Sequence, residues 1–211
     1  MCEYVSKKDL REPRETFNDW VNDVHREIRE NYKMTFQTYP IGSGSNNLVI
    51  NRCDNKFFDL DFQIVIEKFG DLRKNDCKKI KQAFIDAFNN IKPQGFTNCE
   101  DSTQSLTTKN RSKEYGYDII ITYSDNNDFY IIHNNKNKNG NNNNDYEWQK
   151  QSDLSEFRDR LDRIEGPEMW EDLRKRYKKK RHDNLNNKNK KSYQMLNEAA
   201  VETLKKYGKN F

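Results

Sequence analysis

The chain has 211 residues, which is enough for one large domain or for two small lobes. Hydrophobic residues make up 33% of it, charged residues make up 34%, and the mean hydropathy of −1.25 is low. No apolar run approaches the ~20 residues that a membrane-spanning helix needs, and the N-terminus lacks a signal-peptide core. We therefore expect a soluble protein without a membrane segment, with twelve Phe, eleven Tyr and three Trp available for a core.

The cysteines and histidines give no sign of a metal or disulfide scaffold. Cys2, Cys53, Cys77 and Cys99 show no C-x-x-C spacing, and the three histidines stand apart from one another. Such spacing argues against a zinc site and against a disulfide framework. We therefore expect a reducing environment and a cytoplasmic location.

Apolar periodicity predicts the elements of the first half of the chain. The expected elements are a helix over 13–31, a strand over 34–41 that stops at Gly42, a short helix with a loop over 46–56, a strand over 59–66 and an amphipathic helix over 77–91. Pro93 and Gly95 end the second long helix. This alternation of helices and strands is typical of an α+β lobe.

The second half divides into strands and then helices. Strands are predicted over 105–109, 115–123 and 128–133, and the turn sequence "SDNN" makes the last two an antiparallel hairpin. The Asn-rich tract that follows is predicted to be a linker within 134–147. Three apolar stripes beyond it predict helices. We therefore expect an α+β lobe over 1–135, including the N-terminal helix, and a small helical lobe over 148–211.

Three aspartates lie in segments that are otherwise apolar. Asp59 and Asp61 alternate with Leu60 and Phe62, so both carboxylates project from one face of a strand, roughly 7 Å apart. Two carboxylates so placed can chelate one divalent ion or straddle two, and Mg²⁺ prefers such oxygen ligands. Asp118, in the strand "YGYDIIITY", would complete a three-carboxylate cluster if its strand were a neighbour. A half-exposed strand face and a strand-edge aspartate are the alternatives.

A turn of small residues precedes the aspartate pair. In "IGSGS", Gly42 lets the backbone approach a phosphate closely, and Ser43 offers a hydroxyl and an N–H group to phosphate oxygens. A Gly-Ser turn, an Asp-x-Asp strand and a further strand aspartate together predict a site for a metal-bound triphosphate.

These segments resemble a known family. "IGSGS…DLDFQIVI…YGYDIIITY" is similar to the Gly-Ser, Asp-x-Asp and Asp pattern of the polymerase-β-like nucleotidyltransferase superfamily. "YDIIITYSDNNDFYIIHN…DYEWQKQSDLSEF" and "LRKRYKKKR…KSYQMLNEA" resemble the bacterial cGAS/DncV-like members, the CD-NTases. The resemblance covers the chain from about Tyr39 to Leu204.

The resemblance implies a palm-like, mixed-sheet catalytic lobe followed by a helical lobe, with the active site in the cleft between them. It implies two Mg²⁺ ions, replaceable by Mn²⁺, on Asp59, Asp61 and Asp118, and nucleoside triphosphates as substrates. By the same resemblance, the triphosphate would contact Gly42, Ser43, Lys175 and Ser192. The base would stack on Tyr193. The implied product is a cyclic or short oligonucleotide second messenger of the kind used in bacterial anti-phage signalling.

Other interpretations remain open from the residues alone. The same chemistry could transfer a nucleotide to a protein, an RNA end or a small molecule. Residues 172–191 contain ten Lys or Arg against two acids. Such a run is either a solvated helix face or an anion site for a nucleic-acid or protein activator. A non-catalytic, basic nucleic-acid-binding module is the third hypothesis. Tyr193, at helical spacing with Leu196 and Ala200, is either a base platform or a core residue.

Overall fold

The computed structural model describes residues 2–52, 55–126, 128–135, 145–151, 155–185 and 191–209. Within these ranges the chain forms helices and strands in this order: α1 (Arg11–Tyr32), β1 (Thr35–Ile41), α2 (Gly42–Ser45), β2 (Phe58–Lys68), α3 (Cys77–Asn90), β3 (Glu100–Asp101), β4 (Ser105–Asn110), β5 (Tyr115–Asp125), β6 (Asp128–Asn134), β7 (Tyr146–Lys150), α4 (Ser155–Asp162), α5 (Gly166–Asp183) and α6 (Ser192–Lys206). The predicted α+β class is confirmed.

The strands form one mixed sheet. Its order is β1-β2-β5-β4-β3, and β6 pairs with both β5 and β7. β2 and β5 are parallel, whereas every other pairing among the described strands is antiparallel. The predicted β5–β6 hairpin is confirmed, since Asp125 pairs with Asp128 at its turn. The parallel pair lies in the interior of the sheet, where both of its strands have neighbours on each side.

The chain divides into two compact units, which we call the sheet unit (6–47 and 57–151) and the helical unit (1–5, 48–56 and 152–211). The division differs from the expected one, because β7 pairs with β6 and thus belongs to the sheet unit. The two short segments 1–5 and 48–56 also join the helical unit. Pairing between segments that are distant in sequence decides these assignments. The hydrophobic periodicity of such short segments does not predict that pairing. The central Asn-rich tract, 136–144, lies outside the described residues.

One face of the sheet is covered by α1 and α3. Phe17 of α1 stacks on Phe62 of β2 with ring centroids 3.6 Å apart and meets Tyr117 of β5 edge-on. Phe84 of α3 packs edge-on against Phe36 of β1. Each such side chain contributes about 1.5–3 kcal/mol when fully buried. Because strand side chains alternate, this packing leaves the other residues of β2 and β5 on the opposite face.

The helical unit has an apolar core of its own. It is built from α4, α5, α6 and the two short segments, and its buried members include Cys2, Leu48, Ile50, Leu161, Ile164, Leu173, Tyr177, Leu196, Ala200 and Leu204. The segments pair with each other, since Val5 N–H donates to Val49 O and Asn51 N–H donates to Glu3 O, each at 3.0 Å. Among the described residues of the predicted helical stripes, Leu161, Ile164, Leu173, Tyr177, Leu196, Ala200 and Leu204 are therefore confirmed as core residues. Leu154, which the first stripe also included, lies outside the described residues.

The cysteines depart from expectation in one respect. Cys2 is disulfide-bonded, although the spacing of the cysteines gave no sign of a disulfide. Disulfide formation depends on how close two sulfur atoms lie in the fold, which spacing alone does not determine. Cys77 and Cys99 are free and buried, and burial raises the pKa of the Cys99 thiol to about 12. Among the helices in the described ranges, none combines the length and apolar character needed to cross a bilayer.

Candidate active site

The carboxylates lie together on the face of the sheet opposite α1 and α3. In the parallel register of β2 and β5, Asp61 is paired with Asp118, and Asp59 is paired with Gly116. Neighbouring strands lie about 4.8 Å apart, so the backbone brings the three aspartates to one small area. All three are half-buried, whereas the residues that alternate with them, such as Leu60, are buried. This confirms the prediction that β5 neighbours the strand of the aspartate pair.

Gly116 makes room for the first of these carboxylates. A Cβ atom at this position would lie 2.8 Å from Asp59 Oδ1 and 2.9 Å from the carbonyl oxygen of Thr108. Real Cβ atoms essentially never come so close to other atoms. The glycine of "YGYD" therefore belongs to the site. The sequence carried this signal, since glycine weakens the interior of a strand and often marks a close approach.

Gly42 makes an equally close approach to the second carboxylate. Its φ is +61°, in the left-handed region, and a Cβ atom there would lie 2.7 Å from Asp61 Oδ2. The contact follows from register, because Ile41 pairs with Asp61 across β1 and β2. The short helix expected within 46–56 lies instead at Gly42–Ser45, where the Ser45 hydroxyl donates to Gly42 O at 2.8 Å. The predicted Gly-Ser turn thus contacts the aspartate strand, with Ser43 half-buried beside it.

Two supporting contacts were not predicted from the sequence. Arg14 of α1 donates from Nη2 to Gly44 O at 2.7 Å and to Asn47 Oδ1 at 3.3 Å, so it ties the Gly-Ser turn to the long helix. Thr107 of β4 donates its hydroxyl to Asp118 Oδ1 at 2.6 Å. Arg14 lies 30 residues before Gly44 in the sequence, and Thr107 lies on a different strand from Asp118. No local sequence pattern identifies either residue.

The donor chemistry of the site suits a hard divalent cation. Carboxylate oxygens are the protein ligands that Mg²⁺ prefers, and it commonly shares them with substrate phosphates. In their present side-chain positions, the described residues include no group of three or more His, Cys, Asp or Glu that could hold a metal ion. Metal binding through all three of Asp59, Asp61 and Asp118 would therefore require side-chain adjustment.

Three predicted nucleotide contacts lie in the helical unit. Tyr193 is 42% exposed and meets Phe157 edge-on, so the core interpretation of this residue is not supported. Ser192, the first residue of α6, accepts a hydrogen bond from Arg181 of α5. Arg181 is thus a cation that sequence reasoning did not select, although it lies in the predicted basic run.

Lys175 occupies a different part of α5. It is exposed and pairs with Glu171 at 2.8 Å, and this hydrogen bond together with the glutamate charge raises the pKa of Lys175. It lies six residues before Arg181, about 9 Å along the helix. Arg181 is therefore a cation that the structure brings to Ser192, and Lys175 is one to two turns away from Arg181.

Much of the predicted basic run is neutralised by neighbouring acids. Five of its cations have carboxylate partners: Lys175 with Glu171, Arg176 with Asp172, Lys178 with Glu3, Lys179 with Asp183 and Lys180 with Glu202. Pairs that are exposed to solvent, such as Lys175–Glu171 and Lys179–Asp183, contribute only about 0–1 kcal/mol each. All five pairs reduce the local positive charge. The arrangement favours a salt-bridged helix face over an unpaired basic surface that binds a polyanion.

Comparison with known proteins rests on structure alone, since no family model and no curated protein matches the sequence. The STING-associated CdnE c-di-GMP synthase from Capnocytophaga granulosa matches 97% of the chain at 14% identity with a TM-score of 0.62. Vibrio cholerae DncV matches 85% of the chain with a TM-score of 0.50, at 14% identity in its 3'-deoxy ATP bound form and 13% in its apo form. The chain has a CD-NTase fold.

This CD-NTase fold is shared over only part of those proteins. The chain spans 63% of the length of the CdnE structure and 48% of the length of the DncV structures. At 13–14% identity, similarity of structure establishes the fold and leaves the activity to be argued from the site.

Proposed function

We propose that this chain is a metal-dependent nucleotidyltransferase that joins nucleoside triphosphates into a cyclic or short oligonucleotide and releases pyrophosphate. The observation that carries the proposal is the register of Asp61 and Asp118 on adjacent parallel strands, with Gly42 in close contact with Asp61. The similarity to a c-di-GMP synthase and to a protein bound to 3'-deoxy ATP supports the choice of substrate and product.

In this proposal the chain's own residues bind the metal ions, orient the phosphates and deprotonate the attacking hydroxyl group. Asp59, Asp61 and Asp118 would hold Mg²⁺, which when bound neutralises phosphate charge and lowers the pKa of a hydroxyl group. The backbone N–H groups and hydroxyl of Gly42-Ser43 orient the β- and γ-phosphates. Asp118 accepts the proton of the attacking hydroxyl. A new bond joins that oxygen to the α-phosphorus, and the bond from the α-phosphorus to pyrophosphate breaks.

The family resemblance assigns further nucleotide contacts to three residues of the helical unit, Lys175, Ser192 and Tyr193. Tyr193 offers an exposed ring, and stacking of a base on an aromatic side chain is worth about 1–3 kcal/mol. Ser192 and Arg181 offer a hydroxyl and a guanidinium to the triphosphate, and Lys175 offers a further charge from the same helix. Arginine is well suited to this task because its fork binds phosphate oxygens in pairs.

The acceptor distinguishes this proposal from its nearest alternative, transfer to a protein, an RNA end or a small molecule. Purified protein should be incubated with Mg²⁺ and each labelled nucleoside triphosphate, alone and mixed, and the products separated by chromatography. Label in short oligonucleotides made without any other acceptor supports the proposal. Label that appears only on added protein or RNA supports the alternative.

A non-catalytic nucleic-acid-binding module is the remaining candidate. The ion pairs within the basic run count against it, and it gives no reason for three carboxylates on one sheet face. If the basic run acts instead as the site of a nucleic-acid activator, double-stranded DNA or RNA should increase product formation. Such binding should weaken steeply as the salt concentration rises.

A further inference from the structure

Thr107, Asp118 and Asp61 form a row across three neighbouring strands. Thr107 of β4 is the direct antiparallel partner of Asp118 on β5, and Asp118 is the parallel partner of Asp61 on β2. Directly paired residues project from the same face of a sheet. The third carboxylate therefore lies between a hydroxyl on one side and the second carboxylate on the other.

The contact between Thr107 and Asp118 has the features of a strong hydrogen bond. Its O–H···O distance is 2.6 Å, within the range of bonds to an ionised acceptor, and both residues are half-buried. Threonine is β-branched, which restricts χ1 and so limits the directions that its hydroxyl can take. A carboxylate has about four acceptor positions, so this bond leaves Asp118 able to ligate a cation.

The neighbouring residue on β4 shows what a purely structural threonine does in the same strand. Thr108 projects from the opposite face, is fully buried, and donates its hydroxyl to the backbone carbonyl of Thr97 at 2.8 Å. That bond satisfies a buried backbone group. Thr107 instead directs its hydroxyl at a side-chain carboxylate in the candidate active site.

We propose that Thr107 is a positioning residue, which fixes the carboxylate of Asp118 in the orientation that metal binding and proton acceptance require. The inference rests on the proposed function, because it assigns Thr107 a role toward the metal ion held by the three aspartates. Partners that orient a ligand in this way are typically worth about 10–100-fold in metal affinity or activity. Thr107 itself does not touch the reacting atoms.

The test measures Mn²⁺ affinity directly, so that it does not depend on turnover. Free Mn²⁺ is titrated by electron paramagnetic resonance against the full chain in the presence of a non-hydrolysable ATP analogue. Thr107→Val keeps the shape and removes the hydroxyl, Thr107→Ala removes it with less volume, and Thr107→Ser retains it. Thr108→Val is the matched control, since it removes a bonded hydroxyl one residue away on the opposite face. The Tm of each variant is measured in parallel.

We expect Thr107→Val and Thr107→Ala to weaken Mn²⁺ binding by about 10–100-fold. Thr107→Ser should retain most of the affinity, and Thr108→Val should leave it unchanged even where it lowers the Tm. If Thr107→Val does not fold, the comparison of Thr107→Ala with Thr107→Ser carries the test.

Unchanged Mn²⁺ affinity in the variants without the hydroxyl, with weakened binding in Asp118→Asn, would overturn the role of Thr107 and leave the proposed function standing. Equal losses in Thr107→Ser and Thr107→Val would also overturn it, because the hydroxyl would not be the feature that matters. If Asp61→Asn and Asp118→Asn bind Mn²⁺ as tightly as the wild type, the metal assignment itself fails and both proposals fall.

Discussion

The backbone of Gly42 passes so close to Asp61 that a methyl group on the glycine would lie 2.7 Å from the carboxylate oxygen Oδ2. This contact joins the small-residue turn to the aspartate strand. It also ties two sequence motifs, separated by almost twenty residues, to one place in the fold. A change at Gly42 should therefore affect catalysis directly.

Gly42→Ala is expected to abolish nucleotide turnover. The substitution adds steric conflict with Asp61 and forces alanine into a left-handed conformation, which costs about 1–2 kcal/mol. Gly166→Ala is the control, because Gly166 has a similar φ of +70° and no atom within 4 Å of an added Cβ. Both variants should lose the free energy of the left-handed conformation in denaturant titrations, and Gly42→Ala should lose more because of the conflict with Asp61. Only Gly42→Ala should lose activity. Equal activity in the two variants would contradict the steric role.

Arg14→Met is expected to weaken nucleotide binding from outside the site. The substitution removes the charged hydrogen bond to Gly44 O, and bonds to charged groups are worth about 1.5–3 kcal/mol. Arg11→Met, one turn earlier on α1, removes an exposed pair with Glu15 and should change little. Isothermal titration with a non-hydrolysable triphosphate measures the free energy of nucleotide binding. Urea unfolding measures the free energy of unfolding. Full affinity in Arg14→Met would show that the turn holds its conformation without the arginine.

Tyr193→Ala is expected to raise KM for the nucleotide with little loss of stability. Loss of one stacked base costs about 1–3 kcal/mol, or roughly 5- to 150-fold in KM. Tyr207→Ala is the matched control, since Tyr207 is 36% exposed and follows the same helix at its other end. If instead Tyr193→Ala lowers the Tm strongly and leaves KM unchanged, the residue supports the packing of Phe157 and does not contact the base.

The sheet unit also contains a buried ion pair with a defined dependence on pH. Lys81, 1% exposed, donates to Ser102 O at 2.8 Å and pairs with Asp101 Oδ1 at 2.6 Å. The other oxygen of Asp101 accepts hydrogen bonds from Tyr146 and Asn134. Burial alone raises the pKa of Asp101, but the bonds from Lys81 and Tyr146 and the lysine charge outweigh it, so the pKa is lowered.

A carboxylate whose pKa is lowered in the folded state contributes stability above its unfolded pKa of about 3.9 and loses that contribution as the pH falls through the folded value. Lys81→Met should lower the free energy of unfolding at pH 7, by at most about 3–5 kcal/mol, because it removes the cation paired with Asp101 and leaves only the hydrogen bonds from Tyr146 and Asn134. The loss should shrink below pH 4. Urea titrations of the wild type and Lys81→Met between pH 3 and pH 8 measure the size of the loss and its dependence on pH. A loss of unfolding free energy that is the same at every pH would contradict the role of the Asp101 charge.

The sequence predicted the parts of this fold that depend on periodicity and turn chemistry. The alternation around Asp59 and Asp61 placed both on one strand face, and "SDNN" identified the β5–β6 hairpin. The parallel register of Asp61 with Asp118 could not be derived, because it depends on a crossover between distant strands. The resemblance to nucleotidyltransferases supplied that expectation.

Contacts made through tertiary packing were not predictable from local patterns. Arg14 and Thr107 reach the site from α1 and β4. A glycine within a strand pattern indicates a close approach at Gly116, but its partner, Asp59, is identified only by the pairing of β2 with β5. In the helical unit, the antiparallel pairing of α5 with α6 brings Arg181 to Ser192, whereas the family pattern had selected Lys175. A run of similar cations does not identify which member faces the next helix.

The most direct test of the central claim is pyrophosphate release from nucleoside triphosphates and Mg²⁺ by the wild type, Asp61→Asn and Asp19→Asn. Asp19 is an exposed aspartate on α1, so its variant controls for the loss of one negative charge. The account predicts release by the wild type and by Asp19→Asn, and a loss of more than about a hundredfold in Asp61→Asn at unchanged Tm, since even residues that only orient a metal ligand cost 10–100-fold. Equal pyrophosphate release by wild type and Asp61→Asn would contradict it.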